Sequence, residues 1–293
     1  MTTHLLIIDA QNDFCDLPVH QCPYDPLAGR RLQPALPVAG ADADLQRLAR
    51  FIRQAGRAID AITLTLDSHQ LVDIAHPPFW RQANGSAVAP FTAISAAALR
   101  QGLFRPANPA LLPQTQAYVD TLEAQGRYGL MVWPVHCQTG SWGQALHAHV
   151  LAACNAWAAR TLQAVHAVHK GEHPLTEHYS ALMAEVPDAT VPATGLNRAL
   201  LARLAGAHTL VIAGQASSHC VKATVAHLLQ HLPPGSAQRL VLLTDCMSPV
   251  AGFETAATDF LQAVAAQGVR CLPQAEAAAL LLAETSQTQA ADA

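Results

Sequence analysis

One repeated unit constrains this chain more than any other feature. A short apolar run ends in a charged or reactive residue, and an amphipathic segment follows. Residues 5–8 end in Asp9, and residues 61–66 end in Asp67. Residues 164–168 lead to Lys170, and residues 209–213 lead through a small-residue turn to Cys220. Residues 240–243 end in Thr244-Asp245. Apolar runs of this length without alternation read as strands buried on both faces. Residues 130–132 and 269–271 are shorter strands of the same kind. Between them the spacing predicts helices over residues 44–55, 115–125, 141–159, 197–205, 221–232, 253–266 and 275–283, the first with Leu45, Leu48, Ile52 and Ala55 on one face. Strands alternating with helices give a sheet covered on both sides. The expected architecture is α/β: a three-layer α/β/α sandwich with a mostly parallel, six-stranded, Rossmann-like sheet. Ligands of such sheets bind beyond the carboxyl ends of the strands. Asp9, Asp67, Lys170 and Cys220 are therefore expected to meet at one edge.

Two stretches break the rhythm, residues 16–34 and 81–113, both rich in proline and without a strong strand signal. Loops of this length in a compact domain are usually functional. The simplest organisation is one domain over residues 1–283 with two insertions, followed by a flexible tail over 284–293. At 51% hydrophobic and 13% charged residues, the chain can bury a large core and is not a disordered polymer. Its net charge of -4 gives no electrostatic footprint for nucleic acid. No apolar run reaches membrane-spanning length, and no leader is evident, so a cytoplasmic protein without membrane contact is expected. Seven cysteines, odd in number and scattered, form no disulfide framework.

The chemistry-bearing residues can be weighed singly. Cys220 follows a buried strand and a turn of small residues and opens a helix, where the dipole and free N–H groups stabilise a thiolate and can receive an oxyanion. A buried inert thiol is the plain alternative. Asp67-Ser68-His69 leaves a strand, with His76 and His136 further on; carboxylate and imidazole together suit Zn, Fe or Mn. With 15 histidines in the chain, any one of them alone signals little. Asp9 is a candidate general base or a turn cap. Lys170 is one of only two lysines, and beside a cysteine it would favour the thiolate.

Taken in order, these segments resemble the isochorismatase-like cysteine hydrolases, nearest to the metal-dependent nicotinamidases. The resemblance is carried by Leu5-Leu6-Ile7-Ile8-Asp9-Ala10-Gln11-Asn12-Asp13-Phe14, Leu36-Pro37-Val38, Thr65-Leu66-Asp67-Ser68-His69, Trp133-Pro134-Val135-His136-Cys137, His169-Lys170-Gly171 with Tyr179-Ser180, and Ala213-Gly214-Gln215-Ala216-Ser217-Ser218-His219-Cys220-Val221-Lys222-Ala223-Thr224. It implies hydrolysis of nicotinamide to nicotinate and ammonia through a thioester on Cys220. Asp9 would act as proton carrier and Lys170 as stabiliser of the thiolate. It implies an oxyanion site at Ala216, Ser217 and Cys220, with a cis peptide between Ala216 and Ser217. It implies one divalent metal ion, zinc first, with Fe or Mn as alternatives, held by Asp67, His69 and His136, with His76 available as a fourth ligand. Phe14 and Trp133 match the aromatic walls of the substrate site, and Lys222 reads as a structural helix residue. A small-molecule amide is the expected partner, together with further copies of the chain in a homo-oligomer.

The chain departs from the family pattern in three places. The gap between His69 and His76 is longer than usual, His219 stands where a tyrosine is common, and the two insertions are large. The second reading is accordingly a related cysteine amidase for a carbamoyl, ureido or maleamate-type amide. An isochorismatase would not need Cys220, and a non-catalytic thiol or metal module would not need Asp9, Lys170 and Cys220 together.

Overall fold

A computed structural model of the chain describes residues 2–291. Six strands form the central sheet: β1 (Thr3–Ile8), β2 (Ala61–Asp67), β3 (His166–Lys170), β4 (Thr209–Gly214), β5 (Leu240–Leu243) and β6 (Arg270–Leu272). Their order is β6-β5-β4-β1-β2-β3, and every pairing is parallel. The chain builds outward from β1 through β2 to β3, then returns to lay β4 against the other side of β1. The switch point thus lies between β1 and β4, where a doubly wound sheet opens a crevice at its carboxyl edge.

The longer helices among the described residues are α1 (Ala41–Ala55), α2 (Leu112–Gln125), α3 (Ala148–Thr161), α4 (Arg198–Ala205), α5 (Cys220–His231), α6 (Glu254–Ala266) and α7 (Gln274–Ala291); one further short helix spans Ala96–Arg100. Successive residues of each strand face opposite layers, because the side-chain period of a strand is two. Leu6, Ile8, Leu210, Ile212, Leu240 and Leu242 pack with Leu204, Val225, Leu228 and Phe260 of α4, α5 and α6. Leu5, Ile7, Val211, Ala213, Val241 and Leu243 pack with Leu48, Ile52, Val150, Trp157 and Leu281 of α1, α3 and α7. Burial on both faces is why these strands carry no polar alternation.

The structure corrects the sequence reading in four elements. Residues 130–132 leave the main sheet and pair antiparallel with Thr92–Ile94. The segment 81–113 holds short strands of its own, Thr92–Ile94 and Phe104–Pro106, the latter paired with Trp80–Gln82, and packs with α2 around a separate core containing Trp80, Ile94, Val119 and Val132. The expected helix over 141–159 begins only at Ala148. The carbonyls of Gly143 and Ala145 accept from Asp13 N and Asn12 N at 3.0 Å each, so they are not free to continue a helical ladder. Helix α7 runs to Ala291, past the boundary at which a flexible tail was expected; residues 292–293 of that tail lie outside the described residues. No helix among the described residues is long and apolar enough to cross a membrane.

Candidate active site

Asp9 and Cys220 flank the switch point. Asp9 leaves β1 with φ 44 and is fully buried. Cys220 is the first residue of α5, as the sequence suggested. Between β4 and α5 the chain must fold back tightly, and Gly214 makes this possible: with φ 125, a Cβ there would lie 1.9 Å from Ile8 O. β2 and β3 deliver Asp67 and Lys170 in register with each other. The Lys170 ammonium lies 2.9 Å from Asp9 Oδ2 and 3.1 Å from Asp67 Oδ1, and donates to Cys220 Sγ at 3.6 Å and to His178 O at 3.0 Å. Thr65 donates its hydroxyl to Asp9 Oδ1 at 2.5 Å. Asp9, Asp67 and Cys220 thus gather around one buried cation, each offering an atom within 4.8 Å of the others.

Burial opposes the ammonium of Lys170, but Asp67 and Asp9 outweigh it and hold its pKa well above the usual range. Burial lifts Asp9 above the ordinary carboxylate range against the pull of Lys170. Burial likewise pushes the Cys220 thiol well above its usual value, more than Lys170 lowers it. The direction of this shift is opposite to the thiolate-favouring effect of Lys170 and of the helix terminus. The resting group is a neutral thiol beside a strengthened base, an arrangement suited to moving the proton as the sulfur attacks.

The cis peptide joins Gln215 and Ala216, one bond earlier than expected. Gln215 N still donates to Ile8 O at 2.8 Å, so the chain keeps sheet register through that residue and departs only after it. Ser217 N donates to Ser248 O at 2.9 Å, which removes it from the expected oxyanion site. Among the described residues no acceptor takes the N–H of Ala216 or of Cys220, and both residues line the same small cavity.

Next to this group lie three imidazoles, His69, His76 and His136, with ring centroids 4.7–5.1 Å apart. Each has its Nδ1 beside an acceptor: Asp73 Oδ2 at 3.1 Å for His69, Gln70 O at 3.0 Å for His76 and Pro134 O at 2.9 Å for His136. A proton on Nδ1 with Nε2 on the ion is the usual state of a ligating histidine with an outer acceptor. Without an ion, burial opposes the charged form of His69, but Asp67 and Asp73 outweigh it and hold its pKa well above the usual range, and His76 Nε2 lies 3.2 Å from His136 Nδ1. His69 Nε2 is buried and lacks a hydrogen-bond partner among the described residues, yet faces Asp67 Oδ2 at 3.2 Å. His136 Nε2 lies 3.7 Å from the same oxygen. Lone pairs converging on a carboxylate oxygen fit a divalent cation. The structure brings His76 into this cluster despite its spacing.

The cavity above both groups measures about 30 Å³ and is walled by Phe14, Trp133, Tyr179 and His219, with Glu177 beside His136 and Asp67. Burial pushes His219 down to about 4, so it is neutral. It packs as an aromatic among Tyr128, Trp133, Tyr179 and Phe253. Sequence reasoning missed Glu177, whose Oε1 lies 4.0 Å from His69 Nε2, and Asp73, which orients His69. Asp73 follows His69 by four residues and could have been noticed; nothing local marks Glu177.

No family model matches the sequence, and no curated protein matches it. Solved structures do. The yeast nicotinamidase Pnc1p is 19% identical with a TM-score of 0.58, over 92% of this chain and 99% of that one. A nicotinamidase/pyrazinamidase of Acinetobacter baumanii is 19% identical with a TM-score of 0.58, over 94% and 97%. The pyrazinamidase of Pyrococcus horikoshii in complex with zinc is 17% identical with a TM-score of 0.50, over 93% and 99%. At these identities the likeness establishes the fold, which is the one these hydrolases share.

Proposed function

We propose that the chain is an amidohydrolase that cleaves nicotinamide to nicotinate and ammonia through a thioester on Cys220. The observation that carries this reading is the buried Lys170 ammonium held at once by Asp9, Asp67 and Cys220, with a histidine cluster opening on the same cavity. The fold shared with nicotinamidases supports it. Asp9 takes the thiol proton as Sγ bonds to the carboxamide carbon. The developing oxyanion is received by the N–H groups of Ala216 and Cys220. Asp9 then passes the proton to the departing nitrogen, and ammonia leaves. Water attacks the thioester while Asp9 accepts its proton, and nicotinate is released as the thiol re-forms. Lys170 remains charged and offsets the negative charge as it moves from carboxylate to sulfur. Phe14 and Trp133 enclose the ring and exclude water; a pyridine ring exceeds the space in this conformation, so seating one requires that wall to part.

Asp67, His69, His76 and His136 would hold the divalent ion, zinc in this reading and Fe or Mn by the same donor chemistry. When bound, it supplies a Lewis-acid contact for the ring nitrogen of the substrate. Nicotinate so formed would re-enter NAD synthesis in the cytoplasm. The chain would then work as a homo-oligomer, with no nucleic-acid or membrane partner and with residues 1–283 as one catalytic domain. The test is ammonia release from nicotinamide by the purified protein, with and without prior chelation, beside Cys220→Ala. Turnover lost in both controls is the expected result. Undiminished turnover in Cys220→Ala would overturn the nucleophile. Turnover only of carbamoyl, ureido or maleamate-type amides would favour the second reading, to which the enlarged segment 81–113 beside Trp133 lends weight.

A further inference from the structure

A second cavity of about 290 Å³ opens beside the Cys220 chamber and shares Trp133, Tyr179 and His219 with it as a common wall. Its far side carries the chain's second lysine, Lys222, and Arg127. Among the described residues no acidic side chain lines it, and most of its surface is aromatic or aliphatic. The two cations differ in their engagement. Arg127 is tied inward, with Nη1 beside His227 Nε2 at 2.5 Å and Nη2 3.8 Å from Glu185 Oε2. Lys222 has no carboxylate partner among the described residues; its ammonium stands 5.6 Å from the centre of the Tyr128 ring. A cation held against an aromatic face, at the side of a cavity without counter-charge, lacks the one group that would complete it. The Cys220 chamber has room for no more than a water or two, whereas the outer cavity is an order of magnitude larger. Lys222 and Cys220 also spring from the same first turn of α5, which fixes the separation of their backbones.

We propose that the outer cavity is a recognition subsite for a carboxylate carried by the substrate. The amide cleaved at Cys220 then belongs to a molecule whose distal arm passes the Trp133–His219 wall and ends as a carboxylate at Lys222. This rests on the amidase reading of the Cys220 chamber and departs from its assignment of nicotinamide, which carries no anionic arm; the substrate class it names is carboxamides that bear a carboxylate. Lys222, read from sequence as structural, becomes a specificity-determining residue.

Three probes test the subsite: nicotinamide, a pyridine-3-carboxamide with a propanoate arm at ring carbon 5, and the methyl ester of that acid. In the unaltered chain the propanoate compound should exceed its ester in kcat/KM by about tenfold or more, the factor expected of one charge-assisted contact. That ratio should fall to about one in Lys222→Gln and be restored in Lys222→Arg. Because the ratio is read within each variant, a general loss of folding or activity cancels. The same ratio is measured as binding to Cys220→Ala by calorimetry. A carboxylate preference that needs Lys222 in binding, with no turnover of any probe, would sink the amidase reading and leave the subsite standing. Turnover of nicotinamide with equal handling of acid and ester, or a preference that survives Lys222→Gln, would overturn the subsite.

Discussion

Replacing Lys170 by methionine removes a cation from between two buried carboxylates while roughly keeping its volume. Asp9 is fully buried and Asp67 is 3% exposed, with the ammonium 2.9 Å and 3.1 Å from their oxygens. At an effective dielectric near 20, each contact is worth about 5 kcal/mol before desolvation is charged against it. Removing one partner of a buried pair typically costs about 3–5 kcal/mol. The variant has one escape, which is to protonate Asp9, already lifted by burial and no longer drawn down by Lys170. From an unfolded value near 4, protonation at pH 7 costs about 4 kcal/mol, and at pH 5 about 1.5 kcal/mol. Lys170→Met should therefore lose about 4 kcal/mol at pH 7 and about 1.5 kcal/mol at pH 5. The sign follows from the raised folded pKa of Asp9 in the variant. Such a group contributes stability that is complete below its unfolded value and is lost as pH rises through the folded one. The deficit against the original chain thus grows with pH by about 1.4 kcal/mol per unit between 5 and 7. Urea unfolding of both proteins in excess chelator at pH 5, 6 and 7 measures it. A deficit below about 1 kcal/mol at pH 7, or one that is flat with pH, would refute the placement of Lys170 between two ionised carboxylates.

Gly214→Ala should destabilise by about 3 kcal/mol or more, since it combines a left-handed backbone at φ 125 with a Cβ placed 1.9 Å from Ile8 O; a melting temperature unchanged within a degree would contradict the tight turn. His4, buried at the start of β1 beside Thr63 Oγ1 at 2.8 Å, is pushed down by burial to about 4. Its folded pKa is depressed, so the unfolded chain takes up a proton first as pH falls from about 6.5 to 4, and stability drops across that window. His4→Gln should make the loss shallower in urea unfolding from pH 7 to 4.5, and an unchanged slope would show that His4 is not held neutral.

The sheet was legible because its inner strands β1, β2, β4 and β5 are buried on both faces over most of their length and so read as unbroken apolar runs, whereas the edge strand β3 alternates exposed and buried residues and was marked by Lys170. Asp9, Asp67, Lys170 and Cys220 were found at or just beyond the ends of these strands, and the structure gathers them within a few ångströms. The short strand at residues 130–132 obeys the same composition rule yet pairs elsewhere, since composition reports burial and not the partner. The start of α3 was misjudged because the carbonyls that would extend it are taken by Asn12 and Asp13, far away in sequence. The thiol state of Cys220 was left open for a similar reason: the helix terminus is local and visible in sequence, whereas the burial that raises the thiol is produced by the whole fold. Glu177 and Lys222 acquire their surroundings only when the segments around residues 127–133 and 177–179 close over α5.

Asp67 joins the two halves of the site. Its Oδ1 meets Lys170 at 3.1 Å, and its Oδ2 meets His69 at 3.2 Å and His136 at 3.7 Å. Gly171 is required at this point, because a Cβ there would lie 2.7 Å from Asp67 Oδ1. The lysine pair and the histidine cluster therefore share one carboxylate and cannot be positioned independently. Asp67→Asn should lower metal affinity by about 10- to 100-fold or more, as loss of charge at a ligand or its support does. It should also remove one of the two carboxylates that balance Lys170, so the thiol should become easier to ionise once the negative neighbour is gone. Metal content after dialysis and the pH dependence of Cys220 alkylation read the two effects separately. If metal affinity fell while the alkylation profile stayed fixed, the carboxylate would serve the histidines alone, and the two halves of the site would be neighbours without being coupled.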